Sequence, residues 1–129
     1  MIEIENLVKR YSGPAGDITV LDELELKVLK GDSIAIVGPS GCGKTTLLNI
    51  LGTLDIPSSG SVSISGKSLE GMDADEKARF RNHTLGFVFQ QHFLLPQCSV
   101  LENVLIPRLA GDWEEGEDET RERAKKLIQ

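Results

Sequence analysis

The chain has 129 residues, 40% of them apolar and 26% charged, with a formal net charge of −6. That length and apolar share suit one globular domain or part of one, and the acidic balance argues against a duplex nucleic-acid partner, whose usual footprint is a basic patch. No stretch reads as a signal peptide or stays apolar long enough to span a bilayer, and the two cysteines, Cys42 and Cys98, read as free thiols of a reducing, cytoplasmic compartment.

In chain order, Ile2 and Ile4 alternate with Glu3 and Glu5, the pattern of a strand with one wet face, expected to run to about Arg10. Tyr11 follows, and Ser12-Gly13-Pro14-Ala15-Gly16-Asp17 has the composition of a turn-rich loop. A second strand is expected from about Thr19 to Val28, with Leu24, Leu26 and Val28 facing one way and Glu23, Glu25 and Lys27 the other. These two half-exposed strands, read as antiparallel, precede Ser33-Ile34-Ala35-Ile36-Val37, a short apolar run of the kind that forms a parallel strand covered on both faces.

The next stretch, Gly38-Pro39-Ser40-Gly41-Cys42-Gly43-Lys44-Thr45-Thr46, fits the phosphate-loop pattern G-x-x-x-x-G-K-[ST]. A protein competes with water for a polyphosphate by aiming several backbone N–H groups into one concavity. Gly38, Gly41 and Gly43 remove the side chains that would block that approach, and a helix starting near Gly43 adds free N–H groups and the positive end of its dipole. In this pattern Lys44 reaches the β- and γ-phosphates, the Thr45 hydroxyl ligates Mg²⁺, and Thr46 is placed one step deeper, on the α-phosphate. The bland alternative is a Gly-rich turn. The context favours the site, because Leu47, Leu48, Ile50 and Leu51 then recur at helical spacing and Gly52 sits where a helix ends. Cys42 is either a reactive thiol or a small loop filler; the filler is preferred.

Beyond the first helix, residues 56–60 connect to Ser61-Val62-Ser63-Ile64-Ser65, an alternating strand between Gly60 and Gly66. Asp73 and Glu76 form a capping-box pattern before a helix expected to reach about Asn82. Leu85-Gly86-Phe87-Val88-Phe89 reads as a second buried strand, with Gln90 and Gln91 at its carboxyl end, where ligands bind in open α/β sheets. Ser99 and Glu102 predict another helix, through about Ile106 and ended by Pro107. Residues 112–119 carry six acidic side chains, read as a solvated loop and helix start, and a last helix places Ala124, Leu127 and Ile128 on one face. His83 and His92 have no ligand partners nearby in sequence and are not read as metal ligands.

Tyr11, the loop at Gly38 to Thr46, and Phe87-Val88-Phe89-Gln90 lie in the order and spacing of an ABC transporter ATP-binding subunit. The run from Gly86 to Gln91, then Leu94-Leu95-Pro96 and Leu101-Glu102-Asn103-Val104, resembles the branch of lipoprotein-releasing and macrolide-export ATPases. The resemblance implies an α/β fold of the P-loop NTPase, ABC ATPase type, with N-terminal antiparallel strands, part of a parallel core sheet (residues 1–90) and the start of a helical subdomain (residues 91–129). It implies ATP and Mg²⁺ as cofactors. Tyr11 would stack on adenine, Gly38, Pro39, Ser40, Gly41, Cys42, Gly43, Lys44, Thr45 and Thr46 would hold phosphate, and Thr45 and Gln90 would reach the metal. Lys44 and Gln90 would serve catalysis, Gln90 by contacting Mg²⁺ and the attacking water. Partners implied are a second ATPase subunit and transmembrane permease subunits on the inner face of the cell membrane, the latter docking around His92-Phe93-Leu94-Leu95-Pro96. The alternative for Phe93 and Leu95 is core filling.

The family pattern continues with Leu-Ser-Gly-Gly-Gln, then an apolar strand closed by Asp-Glu, then a histidine, and none of these occurs here. The Asp-Glu pairs at 22–23, 75–76 and 118–119 do not follow apolar strands. The sequence therefore reads as the front of a nucleotide-binding domain, lacking the catalytic base and a metal carboxylate and not expected to turn over by itself. Ile34, Ile36, Phe87 and Phe89 are expected to lack packing partners. The competing readings are a nucleotide-binding module without hydrolysis and a different P-loop enzyme such as a small-molecule kinase, which would have no need of Tyr11 or the Gln90 strand.

Overall fold

The longest pairing in the molecule joins β1 (Ile2–Gly13) to β2 (Gly16–Val28), antiparallel from Ile2 opposite Val28 to Gly13 opposite Gly16. The computed structural model describes residues 1–14, 16–91, 93–109, 111 and 116–128. On its other side β1 pairs antiparallel with β3 (Ser59–Ile64), which in turn pairs with the two-residue β4 (Lys67–Ser68), giving the order β2-β1-β3-β4. The hairpin is longer than the composition of residues 12–17 suggests. Ser12 and Asp17 are paired, so Tyr11 lies within a strand, opposite Ile18.

β1 is not a regular strand. Two residues, Glu5 and Asn6, stand where β2 offers only Glu25, and Asn6 and Leu7 stand opposite Gly60 alone in β3. Asn6 takes a left-handed φ of 48°, a conformation asparagine tolerates better than most residues. This bulge interrupts the alternation of the strand. Before it Ile4 is buried and Glu3 and Glu5 are more exposed. After it Leu7, Val8 and Lys9 are buried in succession. Gly60 makes the bulge possible: a Cβ there would lie 2.3 Å from the Asn6 carbonyl oxygen.

Four helices complete the described structure: α1 (Lys44–Leu51), α2 (Ala74–Thr84), α3 (Val100–Leu109) and α4 (Glu117–Ile128). The capping boxes form as their sequences specify. Asp73 N–H donates to Glu76 Oε2 at 2.9 Å and Glu76 N–H to Asp73 Oδ1 at 2.8 Å. Ser99 N–H donates to Glu102 Oε2 at 2.7 Å, and Glu102 N–H to Ser99 Oγ at 3.3 Å. Pro107 does not end α3. It sits inside the last turn, where a missing N–H costs one helical bond, and its carbonyl accepts from Asn82 Nδ2. α1 closes with a Schellman motif, Leu54 N–H reaching Asn49 O at 2.8 Å and Thr53 N–H reaching Ile50 O at 3.0 Å. The left-handed residue of that motif is Thr53, φ 55°, rather than Gly52.

The chain divides into two units, Met1–Lys77 and Ala78–Gln129. The first has a core of Ile4, Leu7, Val8, Leu21, Val28, Leu47, Ile50, Val62, Ile64 and Leu69. In the second, Phe80 and Ala124 are buried. The parallel part of the sheet expected from the sequence is not formed among the described residues: 33–37 and 85–89 run without ladder partners. A parallel strand needs hydrogen-bonding neighbours and cover on both faces, and no described segment supplies them. Ile34, Phe87 and Phe89 are accordingly exposed and Val88 completely so, whereas Ile36 is half-buried. On α4 only Ala124 is buried; Leu127 and Ile128 are exposed. No described helix is long and apolar enough to cross a membrane.

Candidate functional site

The phosphate-loop residues occupy the turn that enters α1. Gly43 is the helix N-cap, left-handed at φ 90°, with no side-chain hydrogen bond to the helix end. Glycine is required there twice over, because a Cβ would also meet Val20 and Leu21 of β2 at 3.0 Å. The first helical bond runs from Leu47 N–H to Gly43 O at 2.9 Å, so the N–H groups of Lys44, Thr45 and Thr46 precede any carbonyl partner within the helix. Lys44 Nζ arches back over the loop, donating to Gly38 O at 2.9 Å and Pro39 O at 2.6 Å, with Cys42 Sγ at 3.6 Å. A cation and a helix N-terminus, with three N–H groups that have no carbonyl partner inside the helix, thus meet at one exposed turn, a chemistry that suits a polyanion. Thr45 is exposed on the first turn and Thr46 half-buried behind it. Cys42 is exposed and, like Cys98, a free thiol.

Tyr11 lies in the same unit, in the β1–β2 hairpin, and is held by residues that the sequence did not single out. Its hydroxyl donates to Asp55 Oδ2 at 2.6 Å. Lys9 Nζ donates to Asp55 Oδ1 at 2.5 Å and to Ile56 O at 2.7 Å, and sits 4.7 Å from the centre of the Tyr11 ring. Asp55 belongs to the connection after α1, which is also pinned to β1 by Ser58 N–H to Val8 O at 2.8 Å and Arg10 N–H to Ser58 Oγ at 2.9 Å. Partial burial pushes the Asp55 carboxyl up. The hydrogen bonds from Lys9, Tyr11 and the Ile56 N–H, with the lysine charge, outweigh it and hold the group below the usual carboxylate range. Lys9 could have been noticed two residues before Tyr11, on the same side of a strand. No sequence signal marks Asp55, which is 46 positions from Lys9.

The second unit carries Gln90 and Gln91, both exposed after the 85–89 run. Phe87 and Phe89 stack at 5.4 Å, and Phe93 meets Phe89 edge-on at 5.0 Å. Phe93, Leu94 and Leu95 are exposed; His92 lies outside the described residues. The loop that follows is tied by one side chain. Asn103 Nδ2 donates to the carbonyls of Leu95, Cys98 and Ser99 at 3.0–3.1 Å, and its Oδ1 accepts from Leu95 N–H at 2.8 Å. Among the described residues there is no group of three or more His, Cys, Asp or Glu side chains able to hold a metal ion.

A glycine-lined loop on a helix N-terminus, beside an antiparallel hairpin with an exposed tyrosine, suits an ATP-binding cassette. Residues 21–129 match the ABC transporter family, and the chain belongs to that family. It is 52% identical over 121 residues to the lipoprotein-releasing system ATP-binding protein LolD 1 of Rhodopirellula baltica, a match covering 94% of this chain and 53% of that protein. It is 43% identical over 128 residues to LolD of Bordetella pertussis, covering 99% of this chain and 54% of that one. Among solved structures it resembles the dimeric bacterial ABC transporter cassette MJ0796, with a TM-score of 0.88 and 37% identity over 99% of this chain and 56% of that one. A dimeric post-hydrolysis state of MJ0796 bound to ADP and Pi gives a TM-score of 0.88 and 36% identity over the same shares. The chain spans about half the length of the curated relatives it matches.

Proposed function

We propose that the chain supplies the nucleotide-holding part of an ATP-binding, energy-coupling subunit of an export-type ABC transporter. The observation that carries this is the Gly38–Thr46 loop, with Lys44 arched over its carbonyls at the start of a helix whose first carbonyl-bonded N–H is that of Leu47. Residues 1–90 serve as the nucleotide-binding core and residues 91–129 as the start of a helical subdomain. Tyr11 offers its ring to the adenine, Lys44 neutralises the β- and γ-phosphates, and the N–H groups of Lys44, Thr45 and Thr46 donate to the phosphate oxygens. The donors present fit a hard cation in part. Thr45 Oγ1 and the Gln90 amide oxygen are each a neutral oxygen ligand of the kind Mg²⁺ accepts, with the nucleotide supplying the charge. Bound there, the ion would offset charge on the phosphates. Gln90 orients water through its amide without adding charge.

The exposed apolar segment at Phe93-Leu94-Leu95-Pro96 fits a short amphipathic helix of a membrane permease, which would bring the subunit to the inner face of the cell membrane, and a second ATPase subunit completes the nucleotide site. The chain itself holds no Leu-Ser-Gly-Gly-Gln and no apolar strand closed by Asp-Glu. We therefore expect it to bind MgATP without turnover. Calorimetric titration with MgATP tests the site: Lys44→Ala should lower affinity by about tenfold or more, the value of a hydrogen-bonded charge. Unchanged affinity in Lys44→Ala would remove the loop from the site. Steady hydrolysis by the unsubstituted chain, lost in Lys44→Ala, would overturn the expectation of binding alone.

A further inference from the structure

Two residues outside the phosphate loop hold the Tyr11 side chain in place. We propose that Asp55 and Lys9 are positioning residues of the base platform: they fix the plane of Tyr11 and cover one face of its ring with a cation, leaving the opposite face for a purine. The proposal rests on the reading of Tyr11 as the adenine-stacking residue.

An exposed tyrosine on a hairpin normally turns among several rotamers, and ordering it on binding costs affinity. Here three contacts remove that freedom beforehand. The hydroxyl is held by Asp55 at 2.6 Å, the carboxylate is held by Lys9, and the lysine ammonium lies over the ring. Lys9 is itself buried, 8% exposed, and anchored to the Ile56 carbonyl, so the whole assembly is rooted in the sheet. Tyr11 remains 43% exposed, and with one face under Lys9 the other is the accessible one. A cation on the back face draws electron density from the ring, and an electron-poor face suits an electron-rich purine.

Asp55 is also tied to the phosphate end through α1. It follows α1, whose first turn carries the phosphate-facing N–H groups, and α1 is eight residues long, about 12 Å. The same short helix therefore begins at the phosphate end and leads into the carboxylate that aims the base platform. The Schellman bonds through Thr53 and Leu54 make that connection stiff. The distance between phosphate and base is thereby set by one element.

The test compares affinities for ATP and inorganic tripolyphosphate in the 129-residue chain, since their ratio isolates the base. Tyr11→Ala should lower the ratio about two- to tenfold, the range for an aromatic pair. Asp55→Asn and Tyr11→Phe should each lose a substantial part of that, and the double variant no more than either alone. Tyr11→Phe keeps the ring and removes only an exposed hydroxyl, so it is the mildest of the three changes to the fold, and a thermal melt of each variant shows that it is folded. Tyr11 is also the sole tyrosine. With tyrosine-labelled protein, its ring protons should move upfield when ATP is added, and less so in Asp55→Asn, a change that a purely structural ion pair would not produce. If Tyr11→Ala lowers the ratio while Asp55→Asn and Tyr11→Phe leave it and the ring shift intact, the positioning role is overturned and base stacking stands. If Tyr11→Ala leaves the ratio unchanged, base stacking is overturned and the positioning role with it.

Discussion

Asp55 shows how one carboxylate can tie distant parts of a chain together and make that tie depend on acidity. Its folded pKa lies below its ordinary value because Lys9, Tyr11 and the Ile56 N–H all favour the charged form more than partial burial opposes it. A depressed carboxylate stabilises the fold where it is ionised. The contribution is complete well above the unfolded value of about 3.9 and is lost as pH falls through that value toward the lowered folded one. The urea midpoint of the natural chain should therefore exceed that of Asp55→Asn at pH 7, and the gap should close on acidification from about pH 5 downward. A gap that persists undiminished at pH 3 would show that the carboxylate charge is not what holds the joint. The same residue explains a limit of sequence reading. The turn at Gly38–Thr46 was legible because its structure is local: nine consecutive residues dictate a turn, a helix start and a cation. The Lys9–Asp55–Tyr11 cluster was not, because its members meet only when β1 and the end of α1 pack together.

At the scale of elements, helix starts were the most legible features. Both capping boxes form, since each depends on residues three apart in sequence. Pro107 was misread because a proline near a helix end removes just one bond, and α3 continues to Leu109 past it. The turn-rich 12–17 segment was misread for a different reason. Gly and Pro mark turns, but a two-strand ribbon can carry them close to its tip when cross-strand pairing continues to Gly13 and Gly16. Asn103 gives a prediction at this scale. Its amide makes four hydrogen bonds to the loop of residues 95–99, all within reach of α3's first turn. Replacement by alanine should cost about 1–2 kcal/mol, less than the sum of four bonds because the carbonyls can turn to water. Hydrogen exchange should localise the change. The Leu95 amide should lose its protection while the amides of β1 and β3 keep theirs; uniform loss across the chain would mean that the loop is not an independent latch.

For the molecule as a whole, the antiparallel sheet and the helices form from residues the chain contains, whereas the apolar runs at 33–37 and 85–89 find no ladder. Their sequence pattern describes strands covered on both faces, and periodicity carries no information on whether cover is at hand. Val37 and Val88 consequently stand in water at 85% and 102% exposure. Exposed apolar patches drive association, so the chain should bind a hydrophobic dye and self-associate as concentration rises. Val88→Lys should reduce both while changing thermal stability by less than about 0.5 kcal/mol, as for a surface site. A large drop in stability would show Val88 to be packed. The bulge at Asn6 has a consequence on this scale too. A strand has a phase of two, and one surplus residue interrupts it, so that Leu7, Val8 and Lys9 are buried in succession downstream of Asn6. Replacing Asn6 would alter local comfort, but deleting it would put the residues on its two sides out of register by one against β2 and β3 with every motif residue still present. Single-letter change and single-letter loss at this position thus differ in kind, and an inventory of motif residues would not tell the two apart.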